Sequence, residues 1–232
     1  PVNTANCYVV NAAGSYRFPL IYGNAVRDGA DNQAAYKSQG SEWDQPFWDC
    51  VTRSINSPFI VSPDRTFRAE ILWQDGNNLV TNVRISPAQG QILGQAVPYI
   101  AFDVAAGTIR QGNCVIALYA DTDAGASTLA WSWHIWVTDR EVTLTAANGY
   151  EWMDRNLGAL NNTPGDVANR GLFYQWGRKD PFLPSSAPYT TGNVTEANVE
   201  NHQVGDGTAE WAYTGVRQQL LTEAPGNIEN AV

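Results

Sequence analysis

Between residues 129 and 138 the chain reads Leu-Ala-Trp-Ser-Trp-His-Ile-Trp-Val-Thr, and this run constrains the fold more than any other stretch. In an extended chain Leu129, Trp131, Trp133, Ile135 and Val137 point one way, while Ala130, Ser132, His134, Trp136 and Thr138 point the other. Strict period-2 alternation is the mark of a strand with one face in a core. The expectation is a buried face carrying Trp131 and Trp133. Trp136 then sits opposite, among small polar residues, and His134 reads as an ordinary strand histidine turned to a polar surface.

Other segments extend the pattern. Residues 99–104 and 113–119 read as further strands, and 142–145 as a closing one. Residues 7–10 and 16–22 flank Ala13-Gly14-Ser15, which predicts a hairpin. Strands at 66–73 and 79–85, joined through Asp75-Gly76-Asn77-Asn78, predict a second, because Asp-Gly supplies the backbone conformation that tight hairpins need. Leu79, Thr81, Val83 and Ile85 then share one face. Residues 24–55 lack sustained alternation and read as a long excursion, with short helical stretches near 32–37 and 43–50. Loops of that length are often binding elements.

The expected fold class is mainly β: an antiparallel β-sandwich of seven to nine strands over residues 1–148, followed by an irregular α+β C-terminal region. That region, 149–232, is rich in Trp, Gly and Asn and reads as an incomplete second domain. Composition agrees. Charged residues make up 16% of the chain, below the typical ~25%, while Trp, Tyr and Phe number nine, ten and seven. Such a chain suits short strands joined by many turns.

Several function classes find no support. The net charge is −9 and the longest basic cluster is Arg178-Lys179, so no stripe suits nucleic acid or an anionic membrane. No apolar run approaches the ~20 residues of a membrane-spanning helix. A first residue of Pro1 suggests a processed chain. Cys7, Cys50 and Cys114 are far apart and lack zinc-ligand spacing. They can be three small core residues, or one disulfide and one thiol.

Nucleophilic catalysis needs a base beside a nucleophile, and the chain has two histidines, His134 and a solvated His202. GxSxG, P-loop and dinucleotide fingerprints do not occur. Carboxylate pairs such as Asp44 with Asp49, or Asp154 with Asp180, say nothing about separation in space. Asp121-Thr122-Asp123-Ala124-Gly125 opens like a calcium loop, but its twelfth position is Ser132, not Glu. It reads as a turn, as does Asp28-Gly29-Ala30-Asp31-Asn32. No catalytic residue, metal or cofactor is expected. The aromatic excess does permit a carbohydrate reading, since Trp and Tyr faces stack on sugar rings and nearby amides bond the hydroxyls. Tyr36, Trp43 and Trp48, in the long excursion, are the candidate glycan contacts.

Three segments carry a family likeness. Residues 5–11, Ala-Asn-Cys-Tyr-Val-Val-Asn, with Gly14-Ser15-Tyr16-Arg17-Phe18-Pro19-Leu20-Ile21-Tyr22-Gly23-Asn24, form the first. Trp131-Ser132-Trp133-His134-Ile135-Trp136-Val137-Thr138-Asp139 is the second. The third joins Trp152-Met153-Asp154-Arg155-Asn156-Leu157-Gly158-Ala159 to Gly171-Leu172-Phe173-Tyr174-Gln175-Trp176-Gly177-Arg178-Lys179-Asp180-Pro181-Phe182. Together they resemble fimbrillin-like surface proteins of Bacteroidetes (type V pilus or cell-adhesion proteins). The third is similar to the start of the major paralogous domain at their C-terminus. The downstream "CP.GWR.P" stretch of that pattern is absent before Val232, which fits an incomplete second domain.

The resemblance implies secretion to the outer membrane, cell surface or fimbrium, often as a lipoprotein. It implies a non-catalytic adhesin or pilus subunit, at the tip or elsewhere, with other pilus subunits or host and microbial surface ligands as partners. In such pilins a donated strand completes a neighbour's sandwich along an open edge. A glycan-binding surface module of a polysaccharide-uptake system is the alternative. No catalytic residue is carried over, and Phe18-Pro19 reads as a device that pins an edge strand. Arg155, Asn156, Arg178 and Asp180 read as side chains bonding internal loops.

Overall fold

The computed structural model describes residues 2–36, 55, 57–60, 65–76, 78–105, 111–121, 127–174 and 181. Strands in chain order are β1 (Cys7–Val10), β2 (Gly14–Pro19), β3 (Val26–Arg27), β4 (Ala30–Asp31), β5 (Thr66–Gln74), β6 (Thr81–Ser86) and β7 (Gln91–Ile92). They continue with β8 (Gln95–Ala96), β9 (Tyr99–Val104), β10 (Gly112–Asp121), β11 (Ser127–Val137), β12 (Leu144–Ala147) and β13 (Tyr150–Met153). The fold is mainly β. Seven strands form two sheets, ordered β1-β11-β10-β5 and β2-β9-β6, and the others form two-stranded ribbons. A 3-10 turn at Gln33–Ala35 falls within the helical stretch expected near 32–37, and another spans Val167–Asn169.

The two sheets face each other across one core. Cys114, Ile116 and Leu118 of β10 and Trp131, Trp133, Ile135 and Val137 of β11 meet Phe18 of β2 and Ile100, Phe102 and Val104 of β9. Phe18 is the central link. Its ring lies 5.0 Å from Trp133 and stacks at 4.8 Å on Tyr8 of β1. Burial of each such side chain contributes roughly 1.5–3 kcal/mol, so apolar and aromatic packing is the main tie between the sheets.

Strand positions follow the alternation, but partners do not. β1 and β2 are not a hairpin: β1 runs parallel beside β11, and β2 antiparallel to β9 in the opposite sheet. The connecting turn carries the chain across the sandwich, which brings Tyr8 and Phe18 face to face in the core. The β1–β11 pair is also the one parallel pairing in an otherwise antiparallel arrangement among the described strands. Likewise β5 pairs with β10 and β6 with β9. The Asp75-Gly76 turn is a corner between sheets because Asp75 points inward, where its carboxylate receives the backbone N–H of Asn113 (2.7 Å). Proline at the end of β2 does sit on an edge strand, since β9 lies between β2 and β6.

β11 differs from the expectation in two respects. Leu129 does not share the face of Trp131: the register steps from Leu118↔Trp131 to Tyr119↔Leu129, leaving Ala130 as a bulge residue. Leu129 consequently packs with Ala117 on the outer side of the sheet. That outer side is not solvent-facing either. Ser132, His134 and Trp136 are all buried there, and Leu160 and Leu172 close over Trp73 and Val115. Residues 155–172 thus supply a second layer of core on the first half of the chain. At Gly158 the backbone has φ +79°, and a Cβ would meet Leu172, so glycine permits this close approach.

Candidate functional site: a buried polar chain and a surface cleft

Beneath that second layer runs a line of hydrogen bonds through the four-stranded sheet. Asn113, in β10, donates from Nδ2 to Asp75 Oδ2 (2.8 Å) and to the Gly158 carbonyl (3.1 Å). Both partners are acceptors, which fixes the orientation of the amide and leaves Oδ1 facing His134 Nε2 at 2.9 Å. Nε2 must therefore carry a hydrogen. In the neutral ring Nδ1 is then the acceptor, and Cys7 Sγ lies 3.2 Å from it, placed there by the parallel register Cys7↔His134. Cys7, His134, Asn113 and Asp75 form one chain linking β1, β11, β10, the inter-sheet corner and the overlying loop.

Thiol, imidazole and amide in this order also describe a nucleophile, its base and an orienting group. The electrostatics favour a structural tie. Burial pushes the Cys7 thiol up to about 12, so it stays protonated at neutral pH with its hydrogen directed at Nδ1. Iodoacetamide at pH 7.5 is expected to leave Cys7 unmodified in the folded protein and to label it in urea, read by peptide mass mapping. Rapid labelling of the folded protein would instead mark Cys7 as an activated nucleophile.

Asp75 is fully buried, and desolvation raises its carboxyl to about 7 despite the two bonds from Asn113 that favour the ionised form. Neither His134 nor Asn113 carried a signal in the sequence, because the register that brings them together is not a local property. Among the described residues no group of three or more His, Cys, Asp or Glu side chains could hold a metal ion. Asp31, in the acidic turn, accepts a hydrogen bond from Tyr36 instead.

The proposed glycan contacts fare differently from one another. Tyr36 is 2% exposed and belongs to the main core. Its hydroxyl donates to Asp31 Oδ1 (2.7 Å), and burial is the main cause that pushes the phenol up. Its ring therefore offers no face to a ligand, because the apolar contacts that a sugar would make are already made by the core. Trp43 and Trp48 lie outside the described residues.

A cleft does open elsewhere, of about 410 Å³, along the third motif. Trp152, Arg155, Asn156, Asn162 and Asn169 are among its lining residues. It sits at the end of the β12–β13 ribbon, whose turn residues Asn148 and Gly149 have φ of 55° and 81°, the mirror-image conformation of a tight hairpin. The sequence places the end of the first domain at 148, where the Asn-Gly pair turns a hairpin. The side chains on the ribbon are exposed throughout, with Leu144 at 58%, Tyr150 at 69% and Met153 at 44%.

Arg155 and Asn156 do bond internal loops. Arg155 pairs with Asp154, and Asn156 Nδ2 donates to the carbonyls of Asn169 and Arg170. The Arg155 guanidinium holds the Asp154 carboxyl below its usual range. Arg178 and Asp180 lie outside the described residues. Comparison with protein-family models, with curated proteins and with solved structures finds no match to this chain.

Proposed function

We propose that this chain is a non-catalytic cell-surface adhesin or pilus subunit, acting in attachment or fibre assembly. The observation that carries this reading is the β12–β13 ribbon. A two-stranded element that exposes Tyr150 and Trp152 on one face and Leu144 and Met153 on the other buries little by itself and offers apolar area to another surface. The sandwich beneath supplies a rigid base. Its β1 edge is short, with no further strand beside it among the described residues, and Val9 is exposed on it. The resemblance to fimbrillin-like proteins supports the same reading, with other pilus subunits or host and microbial surface ligands as partners.

Antibody labelling of intact producing cells and of sheared fibre fractions tests this placement. The chain is expected in one or both; recovery in the cytoplasm alone contradicts it. Among the described residues no helix is long and apolar enough to cross a membrane. The second reading is a glycan-binding surface module, and the cleft beside Trp152 is the observation that favours it.

A further inference from the structure

We propose that the cleft beside the β12–β13 ribbon binds a neutral carbohydrate, with a sugar ring stacked on Trp152 and its hydroxyls bonded by Asn156, Asn162 and Asn169. Trp152 is 59% exposed, and its indole N–H donates to the Ala147 carbonyl at 3.3 Å. That bond holds the ring before any ligand arrives, so less side-chain freedom is lost on binding. The C–H face of a pyranose is apolar and polarised, and it complements the electron-rich face of an indole.

The amides are held at one end and open at the other. Asn156 Nδ2 is engaged by two carbonyls, so Oδ1 remains an acceptor. Asn169 Nδ2 donates to the Thr163 carbonyl (2.6 Å), again leaving Oδ1. Asn162 is the reverse: Oδ1 accepts from Arg140 Nη2 (2.7 Å), leaving Nδ2 as a donor. A sugar hydroxyl donates and accepts at once, and a wall presenting both kinds of group suits it better than it suits a simple anion or cation.

The loop between Asn161 and Asn169 is braced internally. Asn161 Nδ2 bonds Asp166 Oδ2, and Asp166 Oδ1 accepts from the Ala168 N–H. The wall is therefore built before a ligand arrives.

Arg155 anchors the floor of the cleft. Its side chain is 0% exposed, and Nε and Nη2 pair with the two oxygens of Asp154 at 2.9 and 3.0 Å. Nη1 is also buried yet finds no acceptor among the described residues. That atom is enclosed, so a ligand in the cleft does not touch it, and Arg155 serves by holding Asp154 and the cleft wall in place. Because Asp154 already balances the Arg155 charge and the chain carries −9 overall, a neutral sugar is favoured over an acidic one. A volume of about 410 Å³ is in the range of ligand pockets, ~300–1,000 Å³.

Calorimetry and tryptophan fluorescence on the full chain, with neutral gluco-, galacto-, manno- and xylo-oligosaccharides and with polygalacturonate as the acidic probe, test the site. At least one neutral series is expected to bind and to raise the melting temperature. Trp152→Ala should weaken that binding at least about tenfold, ~1.4 kcal/mol, and Asn162→Ala should weaken it too, while Tyr150→Ala leaves it within about twofold. Asn162→Ala keeps the test open should Trp152→Ala misfold. Absence of binding by every neutral series, binding only of polygalacturonate, or binding unchanged in both cleft variants overturns the proposal. The site depends on the attachment reading only for its setting. A surface-located chain that binds no neutral sugar overturns the site and leaves attachment, whereas a sugar-binding chain found only in the cytoplasm does the reverse.

Discussion

Asn113→Ala is expected to destabilise the protein by about 3–5 kcal/mol, read as a lower urea midpoint with an unchanged slope. The side chain is small and the cavity slight, so packing alone predicts far less. What the substitution removes is the centre of the polar chain. Asp75 loses the Nδ2 donor, His134 Nε2 loses its acceptor, and the Gly158 carbonyl loses its donor, all in buried surroundings. Each buried group left unpaired costs roughly 1–3 kcal/mol. A loss under about 1 kcal/mol would show that water replaces the amide and that the chain is no structural tie.

The second large effect is a dependence on pH that runs opposite to the usual one. Asp75 has a folded pKa of about 7 against an ordinary 3.8, so the native state holds this proton more tightly than the unfolded chain does. Stability is therefore greatest below the unfolded pKa and falls as pH rises toward 7. At ~1.4 kcal/mol per unit the loss is about 4 kcal/mol. The bonds to Asp75 come from the amide and backbone of Asn113, and among the described residues no Lys or Arg side chain pairs with it. Asp103, Asp154 and Asp166 are shifted the other way, and their contribution is lost in acid. A maximum near pH 4 and a decline toward pH 8 are expected in urea titrations. Asp75→Asn should remove the decline, even if it lowers stability at pH 5 by turning an amide donor toward Asn113. A wild-type protein equally stable at pH 5 and 8 would contradict a buried Asp75 carboxyl whose proton is held by desolvation.

Strand location was far more legible in the sequence than strand partnership. Residues 99–104, 113–119 and 129–138 were recognisable because apolar alternation is a property of the strand itself. Whether β1 pairs with β2 or crosses to lie beside β11 depends on which aromatic faces must meet, and Tyr8 and Phe18 lie far apart in period but stack in space. Asp75 misled for a related reason: Asp-Gly is a turn signal in water, yet the nearby N–H groups of Asn113 drew the carboxylate inward. His134 looked like a surface histidine because the layer that covers it, residues 155–172, lacks any clean periodicity. Of the candidate glycan contacts, Tyr36 proved to be core, since an aromatic in a loop-like stretch can be buried by long-range packing. Trp152 appeared in the sequence as part of a family-like motif, and only the ribbon geometry reveals that it faces outward.

These two stability effects describe the base on which the proposed attachment surface stands. The most direct test of that surface is adherence of beads coated with the purified chain to a panel of bacterial and epithelial cells. Wild-type beads are expected to adhere, and the Leu144→Ser/Tyr150→Ser double variant, which alters only exposed positions, should lose most of that adherence with its melting temperature unchanged. Wild-type beads that adhere no better than beads carrying an unrelated protein of the same net charge, or a variant that adheres equally well, would contradict an attachment role for the ribbon.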